Sequence, residues 1–438
     1  MSNGGAELAR VEPASGGAEG KTRVVDRPSV GHRSAPEALR ILLVAADRIP
    51  PAPTGSGSRA IRWGLIDGLS RVGAVPAFYS AGPASRNAAE FAAARAGLRL
   101  DDGRFWYDEP GIDRWSDAVT ALGAAMGTFR PNIILTYGIE PLRLARAAAP
   151  HIPTGIMSID LEHLPVLYRH WYNLRYGRPK QKLKSFLQTP QQLLFARRVK
   201  RDIREVYPLA DFVINHAAHH ARWHMQVHGR PVLYTPNPIA PLPELPVRRP
   251  TVPPRFLLVG GIGGIATLTG LAWFAQKVYP LLEPLIAHGE FEAHLVGRGE
   301  LEPCVDRRMS RLVRRGYVED LTNEFAASTA LLVPTPITLG FRTRIVDAFR
   351  HGVTVVAHAA NGLGMAELAH ERNALVTSTP EDFAAAVVGL ARAPDEAERL
   401  GAAAFADFNA ALSGVLVAKR LLEFAQPFLR AAERASAR

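Results

Sequence analysis

Short, unbroken apolar runs alternate with amphipathic stretches along most of this chain. Leu39–Ala45, Asn132–Thr136, Phe212–Asn215 and Val232–Thr235 lack the every-other-residue polar positions of a half-exposed strand. Such runs suit strands buried on both faces of a parallel sheet. Between them, Ile61, Leu65 and Leu69 share one helical face, and Asp113–Phe129 and Glu140–Ala149 also read as helices. The alternation predicts α/β architecture with right-handed crossovers.

The pattern stops at 236–254, PNPIAPLPELPVRRPTVPP, which has neither helical nor strand period and is stiffened by proline. It then restarts. Strands are expected at FLLVGG, FEAHLVG, VRRGYV, Ala330–Val333, Val353–Ala357 and NALVT, with helices between, the first at Leu268–Leu282. Two Rossmann-like parallel-sheet halves follow. The expected divisions are a disordered tail at 1–37, a first domain at 38–238 and a linker at 239–254. A second domain at 255–412 and a terminal helix at 413–438 complete the chain. The tail is rich in Gly, Ser, Ala and Pro without an apolar run. Phe256–Ala275 is long enough to span a bilayer. Its glycine pairs divide it into strand, turn and helix, so no membrane span is expected there.

Composition narrows the chemistry. The 438 residues are ample for two cores, and the net charge of +11 calls for an anionic partner. A lone cysteine, Cys304, rules out a disulfide framework and a cysteine-based metal cluster; a reducing cytoplasm is the simplest compartment.

Ligands of such sheets gather beyond the carboxyl ends of the strands. Gly55, Asp160, Asn215 and Asn237 fall at such ends. The segment Pro336–Gly364 is the strongest candidate site. It follows an apolar strand, and Gly340 is expected to open a helix carrying Arg342, Arg344 and Asp347. A helix N-terminus offers free N–H groups and partial positive charge to phosphate, and guanidinium groups add paired donors. Asp347 suits ribose hydroxyls instead. The Gly55, Ser56 and Gly57 turn before the first long helix is a second phosphate-cradling candidate, although it lacks a complete G-x-G-x-x-G.

These motifs, LGFRTRIVDA at 339–348 with HLVGRGE, RRGYVEDL and the LADFVINHAAHH…NPI run, resemble the GT-B retaining glycosyltransferases of the family-4-like group (glycosyltransferase group 1). The resemblance covers nearly everything after residue 38. It implies a GT-B fold whose last helix, Ser413–Arg434, returns to the first domain. It also implies transfer of a sugar from a nucleotide-sugar donor with retention of configuration, using no metal and no cofactor. By the same resemblance Gly340 and Phe341 belong to the donor loop, and Arg342 and Arg344 hold the diphosphate. Asp347 takes the ribose, Tyr317 and Val318 lie near the base, and Gly260 and Gly261 line the donor. Asp160 and His163 occupy the region facing the reaction centre, as a polar contact to sugar or acceptor and as a contact to the acceptor proton. Asp160 is equally suited to capping the helix after it. Two positions depart from the pattern: Leu339 stands where the family has Glu, and GGIGGIATLTG carries no Arg or Lys after its strand.

Other features have plainer readings. His216, His220, His224 and His228 recur every four residues with His219 beside them, and are expected to form a solvated or partner-facing stripe rather than a metal site. Between Arg169 and Arg204 basic residues are interleaved with Trp171, Tyr172, Tyr176 and Phe186, and Asp202 is the lone acid. This composition suits an anionic membrane surface at the inner face, or a lipid-diphosphate acceptor. It is also that of a solvated basic helix pair. No nucleic-acid-binding signature accompanies it. The acceptor class stays open between a glycan, a lipid-linked and a small-molecule acceptor. A non-catalytic nucleotide-sugar-binding homologue and a GT-B epimerase are the alternative functions.

Overall fold

The computed structural model describes residues 38–46, 50–53, 57–82, 88–107, 109–158, 160–242, 244 and 246–436. The proposed 1–37 tail lies outside them, as do Gly55 and Ser56.

The first sheet contains β1 (Arg40–Ala45), β2 (Val75–Ser80), β3 (Phe105–Trp106), β4 (Ile133–Tyr137), β5 (Thr154–Ser158), β6 (Phe212–Asn215) and β7 (Val232–Tyr234). The second contains β8 (Arg255–Val259), β9 (Glu292–Val296), β10 (Val313–Gly316), β11 (Ala330–Val333), β12 (Thr354–His358) and β13 (Leu375–Thr377). Their orders are β3-β2-β1-β4-β5-β6-β7 and β10-β9-β8-β11-β12-β13. Every pairing is parallel. The strand order reverses between β1 and β4 and between β8 and β11, and crevices for ligands open at such switch points.

Successive strand residues face opposite sides, which is why the apolar runs are continuous. Ile41, Leu43 and Ala45 pack with Ala418, Leu421 and Ala425 of the last helix, Gly414–Ser436. Leu42 and Val44 pack with Ala118, Leu122 and Leu144 on the other face. In the second sheet Phe256 and Leu258 join Leu268, Val278 and Phe383, while Leu257 and Val259 join Ile345 and Phe349.

The Phe256–Ala275 run resolves into β8, a turn and the Ile265–Trp273 helix. Among the described residues no helix is long and apolar enough to cross a membrane. The proline-rich segment is held to both halves: Ile239 bridges Ser413 in parallel, and Arg248 donates to the Phe325 and Ser328 carbonyls.

Candidate active site

The loops beyond β8, β9, β10 and β11 face the start of the Gly57–Arg71 helix across a cleft of about 1020 Å³. Its lining includes Gly260, Gly261, Tyr317, Val318 and Asp347 from the expected donor set, joined by Arg59, Trp63, Arg298, Thr343 and Arg350. The helix starts converge here. Thr343, first residue of the Thr343–Arg350 helix, accepts from Asn237 Nδ2 at 2.8 Å, and a Cβ on Gly57 would stand 3.0 Å from Thr343 Oγ1.

Gly260 explains why the floor can form. At φ +146° it turns the chain as only glycine does readily, and a Cβ there would press on Thr267 Oγ1 at 2.9 Å and Arg344 Nη1 at 3.0 Å. Arg344 lies beneath this turn. Its Nη1 donates to the Val259 carbonyl at 2.5 Å and its Nη2 to Thr267 Oγ1 at 3.3 Å. A cation in the first turn of a helix opposes the helix dipole, and the strand-end carbonyl offsets that. Burial lowers the Arg344 pKa to about 9, with neighbouring Arg342 adding to the shift. The guanidinium is still charged at neutral pH.

The expectation that Gly340 opens the helix needs correction. Gly340 sits at φ +58°, and Arg342 precedes the first helical residue with φ −97° and ψ 94°, so it caps the helix rather than riding on it. Burial lowers the Arg342 pKa to about 10, opposed by Asp160 and Tyr168, and its Nε is a buried donor without a partner among the described residues. Neither Arg342 nor Arg344 lines the large cleft. Phe341 is a core residue packed with Ile345 and Val346, and Leu339 is likewise buried.

Asp347 points into the cleft, with Arg350 Nε 2.7 Å from its Oδ1, while His351 Nδ1 donates to its carbonyl at 2.6 Å. Arg298, absent from the expected set, stands with its Cζ 4.4 Å from the Tyr317 ring centroid. No carboxylate pairs with Arg298 among the described residues, whereas Arg59 is paired with Glu90 and Arg350 with Asp347. The signal for it was the HLVGRGE segment, whose parallel strand delivers Arg298 beside the Gly260 turn: Ile262 N donates to the Arg298 carbonyl at 2.9 Å.

A second polar cluster lies at the carboxyl end of β5. Asp160 meets Gly340, and its Oδ1 is buried without a hydrogen-bond partner among the described residues. Burial raises its pKa and Arg342 pulls it back. His163 begins the His163–Tyr176 helix, with a buried Nδ1 lacking a partner among the described residues and a pKa lowered by burial and then by Lys200. His219 donates from Nδ1 to the Leu363 carbonyl at 3.0 Å, which leaves its buried Nε2 unpartnered among the described residues.

The histidine stripe is not solvated. His216, His220 and His224 are buried: His216, ahead of the Ala218–His228 helix, donates from Nδ1 to the Thr235 carbonyl at 3.0 Å, and on the helix the Tyr207 ring stacks on His224 at 4.6 Å and 11°. Burial lowers the pKa of His216 to about 4, and that of His220 and His224 to about 3. Among the described residues no cluster of His, Cys, Asp or Glu could hold a metal ion. Two aromatics expected on the basic surface, Tyr172 and Tyr176, are also buried, in the core of the second domain.

Two parallel-sheet halves facing one another over this cleft define the GT-B fold. Residues 253–393 match the family model described as "Glycosyl transferases group 1". This domain carries the Gly260, Tyr317 and Asp347 loops, and the enzyme class it defines is glycosyltransferase. No curated protein matches the chain in sequence. Among solved structures, a glycosyltransferase from Rickettsia africae superposes with TM-score 0.60 at 12% identity, covering 89% of this chain and 98% of that one. Sucrose-phosphate synthase from Thermosynechococcus elongatus gives 0.60 at 14%, covering 90% and 100%. HepE from Anabaena, in complex with UDP-glucose, gives 0.60 at 14%, covering 89% and 100%. At these identities the likeness is one of fold.

Proposed function

We infer that this glycosyltransferase moves a hexosyl unit from a nucleotide-sugar donor to a glycan, lipid-linked or small-molecule acceptor, with retention of configuration and without metal or cofactor. The observation that carries the reading is the convergence of Gly260–Gly261, Tyr317–Val318 and Asp347 on one cleft at the switch point of the second sheet. Tyr317 and Val318 would meet the base and Asp347 the ribose. The diphosphate would lie against the Gly260 turn, where Arg344 acts from below, and against the start of the Thr343–Arg350 helix. Preorganised positive charge at a departing diphosphate is an electrostatic means of catalysis, and no metal is required for it. Asp160 and His163 would face sugar and acceptor. The basic 169–204 segment fits an acceptor held at an anionic membrane. The UDP-glucose in HepE makes UDP-sugars the first donors to try.

A second reading has its own support. Leu339 replaces a carboxylate and no basic side chain follows β8, which favours a homologue that binds nucleotide sugar without turning it over.

Thermal unfolding with nucleoside diphosphates and their sugars tests both, since a ligand at about 100 times its dissociation constant adds about 2.7 kcal/mol. A shift with slow donor hydrolysis supports transfer, and a shift without turnover over a broad acceptor panel supports the binder. No shift with any nucleotide would remove both.

A further inference from the structure

The helices Pro179–Leu187 and Thr189–Val206 form a hairpin whose turn carries the most conspicuous apolar surface in the described chain. Leu183 is 61% exposed, Phe186 68%, Leu187 70% and Leu194 63%, with Leu193 and Phe195 beside them. Contiguous apolar surface of this kind marks an interaction site. The tip stands on a firm base: His170 Nε2 bonds Thr189 Oγ1 at 3.0 Å, and Gln181 Nε2 donates to Asn173 Oδ1 at 3.1 Å. Its apolar face is therefore presented in a fixed orientation.

The charges around the tip select the occupant. Lys180, Lys182, Lys184, Arg197 and Arg198 are exposed, and none forms an ion pair among the described residues. A second copy of this chain docked about a two-fold axis would bring those cations against their own kind. An anionic bilayer satisfies both halves of the surface at once, taking the leucine and phenylalanine side chains among its acyl chains and the cations among its headgroups.

We propose that the 183–195 tip is a wedge that inserts shallowly into anionic lipid and fixes the enzyme at the membrane. The helix supporting this hairpin begins at His163, beside Asp160, and its Arg169 donates to the Gly263 carbonyl at the cleft side of the second domain. A docked hairpin thus holds the acceptor side of the site at a set height above the lipid. This deepens the membrane contact in the proposed function, yet it stands apart from sugar transfer.

Flotation of the full chain with phosphatidylcholine vesicles, with and without phosphatidylglycerol, tests the wedge. The wild type should float with anionic vesicles and not with neutral ones. The exposed double variant Leu187→Asp/Leu194→Asp should lose about tenfold or more in partitioning while unfolding at the wild-type temperature. Lys182→Glu/Lys184→Glu should weaken binding and make the remainder less sensitive to salt. Thermal shifts with nucleoside diphosphates should be unchanged in all variants, which separates loss of docking from failure of the nucleotide site. Absence of flotation, equal binding by the Leu→Asp variant, or a dimer in solution that the Leu→Asp variant dissociates would each overturn the proposal.

Discussion

Asp160 and Gly340, from opposite halves of the fold, come so close that a Cβ on the glycine would overlap the Asp160 carboxylate. The glycine is also held at φ +58°. Gly340→Ala therefore carries two costs, about 1–2 kcal/mol for an L-residue in this region and the overlap itself. The single variant should unfold earlier and lose most donor turnover. Asp160→Gly in the same chain should restore part of the stability, measured by a double-mutant cycle in urea. Strict additivity of the two changes would mean that they do not touch.

Asp347→Asn keeps the shape of the side chain and removes its charge. If Asp347 holds the ribose, UDP affinity should fall about tenfold, in keeping with the ~1.5–3 kcal/mol of hydrogen bonds to charged groups. Calorimetry checks this, with 2′,3′-dideoxy-UDP as control: the variant should lose little further affinity for a ligand lacking those hydroxyls. Equal losses for both ligands would place the ribose elsewhere.

Arg298 is the cleft cation without an ion-pair partner among the described residues. Arg298→Ala should weaken UDP binding by about tenfold or more and flatten its salt dependence, while uridine binding changes little. A comparable loss for uridine would instead assign the side chain to the base, over the Tyr317 ring.

The buried histidines make stability fall in acid. His220 and His224 have pKa values of about 3 in the folded chain against an ordinary 6.5, so the folded state binds fewer protons between these values. Their contribution is fully present above pH 6.5 and declines as pH falls toward 3, by up to about 1.4 kcal/mol per pH unit for each ring. His224→Phe keeps the stack on Tyr207 and removes one titrating group. Urea midpoints measured from about pH 7 to about pH 4.5 should decline less steeply in this variant than in the wild type. Parallel slopes would refute the assignment.

Much of the fold was legible because both faces of each sheet are covered, which leaves strands such as ILLV and FLLV without polar interruptions. Glycine-marked turns were legible too, for Gly260 and Gly340 stand where side chains come too close for a Cβ. Sequence spacing was silent on which face a neighbour covers. A histidine every fourth residue fixes a stripe, but what buries it comes from other elements, such as Tyr207 stacked on His224 and the Thr235 carbonyl bonded by His216. The same ignorance put Tyr172 and Tyr176 on the surface and overlooked Leu187 and Leu194, which are exposed because no described residue packs over the hairpin turn. Arg298 escaped notice because its position depends on parallel pairing of β9 with β8.

The chain passes between its halves at Ile239 and again at Ser413–Gly414, and the two passages are bonded together, with Gly414 N donating to the Ile239 carbonyl at 2.8 Å. Both crossings thus coincide at a single pivot. Opening of the cleft is then expected to be a rotation about that point, with the widest travel at the rim farthest from it.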